Sequence, residues 1–153
     1  MTVAQALHWF EHPAFFAEAA RVLKPGGVLA VWCYEVFETT PALDAVVSHF
    51  YHDVVGRYWP PERRWIETGY ADLVLPLPRL EAPAFEMALS WALDELVGYL
   101  GTWSATQRYR ADRGSDPIPV VRAELAAVWG DAATERCVRW PLRVHACRRP
   151  LSG

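Results

Sequence analysis

The chain has 153 residues, 52% of them hydrophobic and 22% charged, a balance typical of a folded globular protein rather than a disordered one. Fifteen Lys and Arg residues against 18 Asp and Glu residues give a formal net charge of −3, which does not favour a nucleic acid or an anionic membrane as partner. The apolar run from Val28 to Tyr34 is far shorter than the roughly 20 residues that a membrane span requires, and no secretory leader is recognisable. We therefore expect a single cytoplasmic domain over residues 1–153.

Residues 1–35 predict a strand, a helix and a second strand. The first strand is expected over residues 3–6. A helix is predicted over residues 13–23, where a proline in the first turn precedes apolar residues at three-and-four spacing, and Lys24-Pro25-Gly26-Gly27 ends it. Residues 28–34 form a β-favouring run without polar alternation, typical of a strand covered on both faces. A strand covered on both faces is typical of a parallel sheet, and parallel strands require a crossover connection. We therefore predict that the two strands are parallel and that the helix between them is the crossover.

The middle of the chain, residues 36–130, is predicted to be helical and proline-rich. We expect helices over residues 42–55, 92–100, 104–112 and 119–129, and a strand over residues 85–91. Prolines are frequent between residues 60 and 83, which predicts loops with at most short edge strands, a composition suited to a cover over a substrate. In the closing region, residues 131–153, a last strand is predicted over residues 136–148.

Two stretches resemble class I S-adenosylmethionine-dependent methyltransferases. Residues 20–29, ARVLKPGGVL, are similar to a segment that is widespread in that superfamily. Residues 3–10, VAQALHWF, are similar to a narrower branch that includes the trans-aconitate methyltransferase-like proteins, as are residues 58–64, 101–105 and 128–130. The resemblance implies an α/β fold with a Rossmann-like doubly wound sheet, S-adenosylmethionine as cofactor, and methyl transfer to a small molecule such as a carboxylic acid.

The resemblance covers only the carboxyl-terminal part of the family's domain. The family's glycine-rich first turn, its ribose-binding acidic residue and its adenine-flanking residues lie further upstream and have no counterpart in this sequence. We therefore expect a truncated domain that keeps the substrate half, and self-association or pairing with a partner chain through the exposed first strand. Two functions follow: methyl transfer in the complete form, or a non-catalytic remnant that serves as an assembly module.

The candidate catalytic and cofactor residues follow the first strand. The resemblance implies that Gln5 and Ala6 lie beside the transferable methyl group, at the carboxyl end of that strand. In the same loop, a neutral His8 is able to accept a proton from a nucleophile, and the indole face of Trp9 is able to lie against a cationic sulfonium. The alternative for His8 and Trp9 is a packing role, and for Gln5 the capping of an edge strand.

Four further residues are candidates for substrate binding. Arg63 follows a double proline, and its guanidinium is suited to bidentate binding of a substrate carboxylate; the alternative is a solvated loop. Trp59, Trp103 and Tyr109 are candidates for the wall of a small-molecule pocket, although aromatic residues at this density are also typical of a core.

The spacing of His49 and His52 on one helical face, beside Asp53, permits a metal ion geometrically. A solvated polar face explains the same residues without a third ligand. We therefore expect no metal site.

Overall fold

The computed structural model describes residues 1–151, which form a mixed α/β fold. The strands are β1 (Thr2–Ala4), β2 (Val28–Tyr34), β3 (Arg79–Leu80), β4 (Phe85–Trp91) and β5 (Arg136–Arg148). The helices are α1 (His12–Val22), α2 (Pro41–His49), α3 (Arg63–Glu67), α4 (Leu93–Thr102), α5 (Ser104–Arg113) and α6 (Ile118–Trp129). The chain divides into two compact units, the first made of residues 1–36, 62–87 and those from 140 onward, the second of residues 37–61 and 88–139.

The strands form one sheet in the order β1-β2-β5-β3, with β4 also paired to β5. β1 runs parallel to β2, with Thr2 opposite Ala30, and α1 is the crossover between them, as the sequence predicts. β5 is antiparallel to both β2 and β3. In the described residues, β1 lies at one end of this strand order, so its outer edge has no neighbouring strand.

The core of the first unit lies between the sheet and α1 and α3. Alternate residues of β2 supply it: Leu29, Val31 and Cys33 are fully buried, and the residues between them are partly buried. This pattern agrees with the predicted strand covered on both faces. The residues from α1, α3 and the loops that join this cluster are Leu7, Phe16, Ala19, Leu23, Ile66, Tyr70 and Leu73.

The second unit has a helical core of its own. α6 packs against both α2 and α4, and α4 packs against α5. Leu100, Leu125 and Trp129 are fully buried there, and the indole Nε1 of Trp129 donates a hydrogen bond to the carbonyl of Thr134 at 3.0 Å. The apolar faces of these short helices are therefore buried against one another, which supplies the stability that isolated short helices lack.

The predicted elements differ from the structure in three places. The first strand ends at Ala4 rather than residue 6, because Gln5 adopts a left-handed backbone with φ of 48°. The helix predicted over 42–55 is α-helical only to His49 and continues as one π turn over Phe50–Val54. The predicted loop over 60–83 contains the helix α3, which was not expected, while β3 is a short edge strand of the kind predicted there; residues 62–87 belong to the first unit. The other boundaries agree within two residues.

No helix in residues 1–151 combines the length and the apolar character that a membrane span needs.

Candidate functional site

The first feature of the site is the end of β1, where Gln5 is tied to β2. Its backbone N–H donates to the carbonyl of Trp32 at 2.9 Å. Its side-chain Oε1 accepts from the N–H of Tyr34 at 2.9 Å, and its Nε2 donates to the Tyr34 carbonyl at 3.2 Å. The side chain thus continues the pairing of the two parallel strands after the backbone has turned away. Ala6, which follows, is partly buried against the core of the first unit.

The chain then makes one 3-10 turn over Leu7–Trp9, which sends three successive side chains in different directions. Leu7 is fully buried, His8 is 7% exposed and Trp9 is 57% exposed. The imidazole and indole rings are 4.7 Å apart between centroids and tilted by 50°. Trp9 is therefore a surface residue whose indole contacts His8, not part of the core.

The second feature is the environment that keeps His8 uncharged. Burial lowers the pKa of His8, and the positive charge of Arg63 lowers it further, while Glu62 acts weakly in the opposite direction. The Nδ1 atom lies 3.1 Å from the hydroxyl of Tyr70, which is itself fully buried. At neutral pH the side chain is thus a neutral imidazole with one nitrogen engaged.

The first unit brings five of the predicted site residues close together. Gln5, Ala6, His8 and Trp9 are consecutive or nearly so, and Arg63 lies at the start of α3, which packs against the 3-10 turn. Arg64, the next residue, places its guanidinium 5.5 Å from the ring of Trp65. The neighbouring arginines thus have different surroundings, and it is Arg63 whose charge acts on His8.

The other three predicted residues belong to the second unit. Trp59 and Trp103 contact each other at 5.5 Å between ring centroids and both contact Tyr51. The indole N–H of Trp59 is bonded to the Tyr51 carbonyl at 3.2 Å. Tyr109 lies apart from this aromatic cluster, against the ring of Tyr58 at 5.3 Å. The predicted substrate role of these residues stays a prediction.

A charged group beside Tyr109 was not predicted from the sequence. The hydroxyl of Tyr58 donates to Asp112 at 2.6 Å and accepts from Arg57 and Arg113 at 2.6 and 3.2 Å. An open cavity of about 620 Å³ is bordered by Arg57, Tyr58, Arg108 and Asp112. The hydrogen bond from Tyr58 and the nearby arginines lower the pKa of Asp112. Arg108 and Arg113 both lie in α5, and this recurrence of arginines is a signal that the sequence carries. Exposed ion pairs such as those of Asp112 contribute little to stability.

His49 and His52 do not share a ligand. His49 Nδ1 is hydrogen-bonded to Asp53 at 2.8 Å, and the His52 ring contacts Tyr51. In the part of the chain that the structure describes, no three His, Cys, Asp or Glu side chains are grouped to hold a metal ion.

The chain is similar in sequence and in structure to known methyltransferases. Residues 1–31, which include Gln5, His8 and Trp9, match the family described as a methyltransferase domain. A candidate methyltransferase from Dictyostelium discoideum is 30% identical over 128 residues, covering 82% of this chain and 49% of the relative. The structure of a candidate type II methyltransferase from Anaeromyxobacter dehalogenans superimposes with a TM-score of 0.89 and 43% identity, over 97% of this chain and 64% of that chain.

These three matches confirm the predicted resemblance to the class I S-adenosylmethionine-dependent methyltransferases. The predicted Rossmann-like α/β fold is confirmed by the same superposition. The chain spans about half the length of the curated relative that it matches.

Methyltransferases of this kind generally use S-adenosylmethionine, whose sulfonium carries a positive charge. Two residues near the end of β1 are compatible with such a cation. An exposed indole such as that of Trp9 offers a π face to a sulfonium. The lowered pKa of His8 removes a positive charge that would repel it. The Trp9 indole and the neutral His8 imidazole are thus suited to a positively charged sulfur, although Arg63 adds one positive charge nearby.

The exposure of Trp9 predicts the effect of truncating it. Trp9→Ala should change the free energy of unfolding by less than about 1 kcal/mol, because the side chain is mostly in water. Leu7→Ala, in the same turn, should lower it by about 2–5 kcal/mol, because a fully buried side chain leaves a cavity. Urea denaturation of both variants checks this, and equal losses for the two would show that Trp9 is a core residue.

The lowered pKa of His8 predicts a pH dependence of stability. As the pH falls, His8 of the unfolded state takes up its proton at about pH 6.5, whereas His8 of the folded state does so only at a lower pH. The stabilisation from neutral His8 is therefore present above pH 6.5 and is lost as the pH falls through the folded pKa. Removing the charge in Arg63→Gln should raise the folded pKa towards its ordinary value and reduce this acid loss. Arg64→Gln is the matched control.

Urea midpoints between pH 7.5 and pH 5 measure this effect, since each variant differs from the wild type in the charge of one arginine. The Arg63→Gln protein should lose less stability over that interval than the wild type, and Arg64→Gln should lose as much. An unchanged or larger loss in Arg63→Gln would contradict the assigned role of Arg63.

Proposed function

We propose that this chain binds the methyl acceptor, and the sulfonium end of the methyl donor, in an S-adenosylmethionine-dependent methyltransferase that acts on a small carboxylic acid. The observation that carries the proposal is the loop after β1, where Trp9 and a neutral His8 adjoin each other within the segment that matches the methyltransferase family. When bound, S-adenosylmethionine supplies an electrophilic methyl group on a sulfonium. The residues of the chain then have to hold, orient and dehydrate the two reactants.

Each residue of the loop has a distinct task in this proposal. Trp9 offers its indole face to the sulfonium, and Gln5 and Ala6 form the edge of the strand against which the donor lies. His8 contacts the methyl acceptor. Because its pKa is lowered, His8 adds no charge that would oppose a cationic donor.

Arg63 is the feature that favours an anionic acceptor. Its charge reaches His8 strongly enough to lower the pKa of that residue. The same charge attracts a carboxylate towards His8, and a guanidinium is suited to bidentate binding of that group. A carboxylate is already deprotonated at neutral pH, so its methylation requires no base.

A second candidate function is assembly, and the outer edge of β1 favours it. In the described residues, β1 pairs with β2 alone, and open backbone groups at a sheet edge are a template for another strand. In this alternative the chain pairs through β1 with a second copy or with a partner chain, and the loop after β1 has no catalytic role.

Calorimetric titration distinguishes the two candidates. We expect saturable heat when S-adenosylmethionine is added to the chain, and an affinity about two to five times weaker in Trp9→Ala, as expected for the loss of an exposed cation–π contact. S-adenosylhomocysteine, which has no sulfonium, should lose less affinity in the same variant. Phe10→Ala is the matched control, because Phe10 is an adjacent exposed aromatic residue.

A folded chain that gives no heat would contradict cofactor binding by this chain. Sedimentation velocity on the same sample then tests assembly: a concentration-dependent dimer supports it, and a compact monomer at high concentration contradicts it.

A further inference from the structure

Tyr70 is a buried residue with an unusual backbone. It is fully buried, yet its φ is 59°, and the preceding Gly69 also lies in the left-handed region with φ of 57°. An aromatic residue in this region is rare, and such residues persist only where the surrounding structure holds them. Strain of this kind is frequent at functional sites.

Several contacts hold the strained turn in place. The N–H of Tyr70 donates to the carbonyl of Trp65 at 2.9 Å, and Nε2 of His145 donates to the carbonyl of Gly69 at 2.7 Å. A side chain at Gly69 would collide with Arg143, since a Cβ there would lie 2.8 Å from the Arg143 Cγ. The turn is therefore fixed on both sides, and with it the position of the Tyr70 hydroxyl.

The hydroxyl of Tyr70 meets the loop after β1. Its oxygen lies 3.1 Å from Nδ1 of His8, and burial raises the pKa of Tyr70 to about 12, so the phenol keeps its proton at neutral pH.

The direction of the bond between Tyr70 and His8 follows from this arrangement. A phenol has one proton to donate and two lone pairs with which to accept. The polar partner that the structure gives this buried hydroxyl is His8 Nδ1, 3.1 Å away, so the phenol proton is directed at that nitrogen. The reverse direction would leave the buried phenol proton without an acceptor, which is costly.

Nδ1 of His8 is then an acceptor, so the proton of the neutral ring resides on Nε2. In residues 1–151 this Nε2 has no hydrogen-bond partner, and the side chain keeps 7% exposure. A nitrogen that carries a proton and has no protein acceptor is available to donate to a ligand.

We propose that Tyr70 is a positioning residue that holds the proton of His8 on Nε2, so that His8 donates a hydrogen bond to the methyl acceptor instead of removing a proton from it. The use of His8 in methyl transfer rests on the proposed function, whereas its tautomer does not. A donor at this position suits an acceptor that is already deprotonated. It orients a carboxylate oxygen, while an alcohol or amine acceptor would find no free base on His8.

The test is the protonation state of each His8 nitrogen in the chain without ligand. Long-range proton–nitrogen correlation spectra of the chain labelled with ¹⁵N-histidine distinguish the two tautomers. At pH 7.5 we expect His8 with a protonated Nε2 and an unprotonated Nδ1. A proton on Nδ1 in the wild type would overturn the proposal without reference to any variant or to methyl transfer.

Tyr70→Phe keeps the ring and removes the hydroxyl, so His8 should lose its single tautomer and show a mixture of both. Tyr109→Phe is the matched control and should leave the His8 signals unchanged. A folded Tyr70→Phe protein that retains only the Nε2 tautomer would show that another group positions His8. If Tyr70→Phe does not fold, the wild-type spectrum decides alone.

Discussion

The parallel pairing of β1 with β2 is the constraint on which the candidate site depends. β1 is only three residues long, and its attachment is extended at both ends: the amino terminus donates to the carbonyl of Val28 at 2.8 Å, and the Gln5 side chain forms two hydrogen bonds with Tyr34. Because the two strands are parallel, their carboxyl ends meet at one edge, where open α/β sheets bind ligands. The loop that carries His8 and Trp9 starts at this edge.

Burial then assigns different properties to neighbouring residues of that loop. Leu7 anchors the turn in the core, Trp9 is exposed, and His8 lies between them with its charge suppressed. α3 contributes from outside the loop: Arg63 acts on His8, and the turn that follows α3 places Tyr70 beneath it. The site is therefore built from two segments of the first unit that are far apart in the sequence.

The regular elements could be predicted because their signals are local. The apolar run of β2, the proline and glycines around α1, and the alternation in β5 each span a whole element. α3 was not predicted, since five residues between prolines are too few to show a helical period. The early end of β1 was not predicted either, because the left-handed backbone of Gln5 depends on its contacts with Tyr34.

The candidate site was predictable only where one loop carries it. Gln5, His8 and Trp9 share a short stretch whose sequence resembles a family, and Arg63 was proposed for its chemistry. Tyr70 was missed because its partner His8 is 62 positions away, and the residues around it hold no pattern that indicates this contact. The grouping of Trp59 with Trp103, and the separation of Tyr109 from both, likewise arise from packing between elements.

The proposal that the methyl donor lies at the carboxyl end of β1 is tested most directly by chemical-shift mapping with S-adenosylhomocysteine. Adding the ligand to the ¹⁵N-labelled chain should shift the backbone amides of residues 5–10 and of Tyr34 to Val36, the two strand ends that meet at this edge. Saturable shifts confined to the second unit, or no shifts in a folded chain, would contradict it.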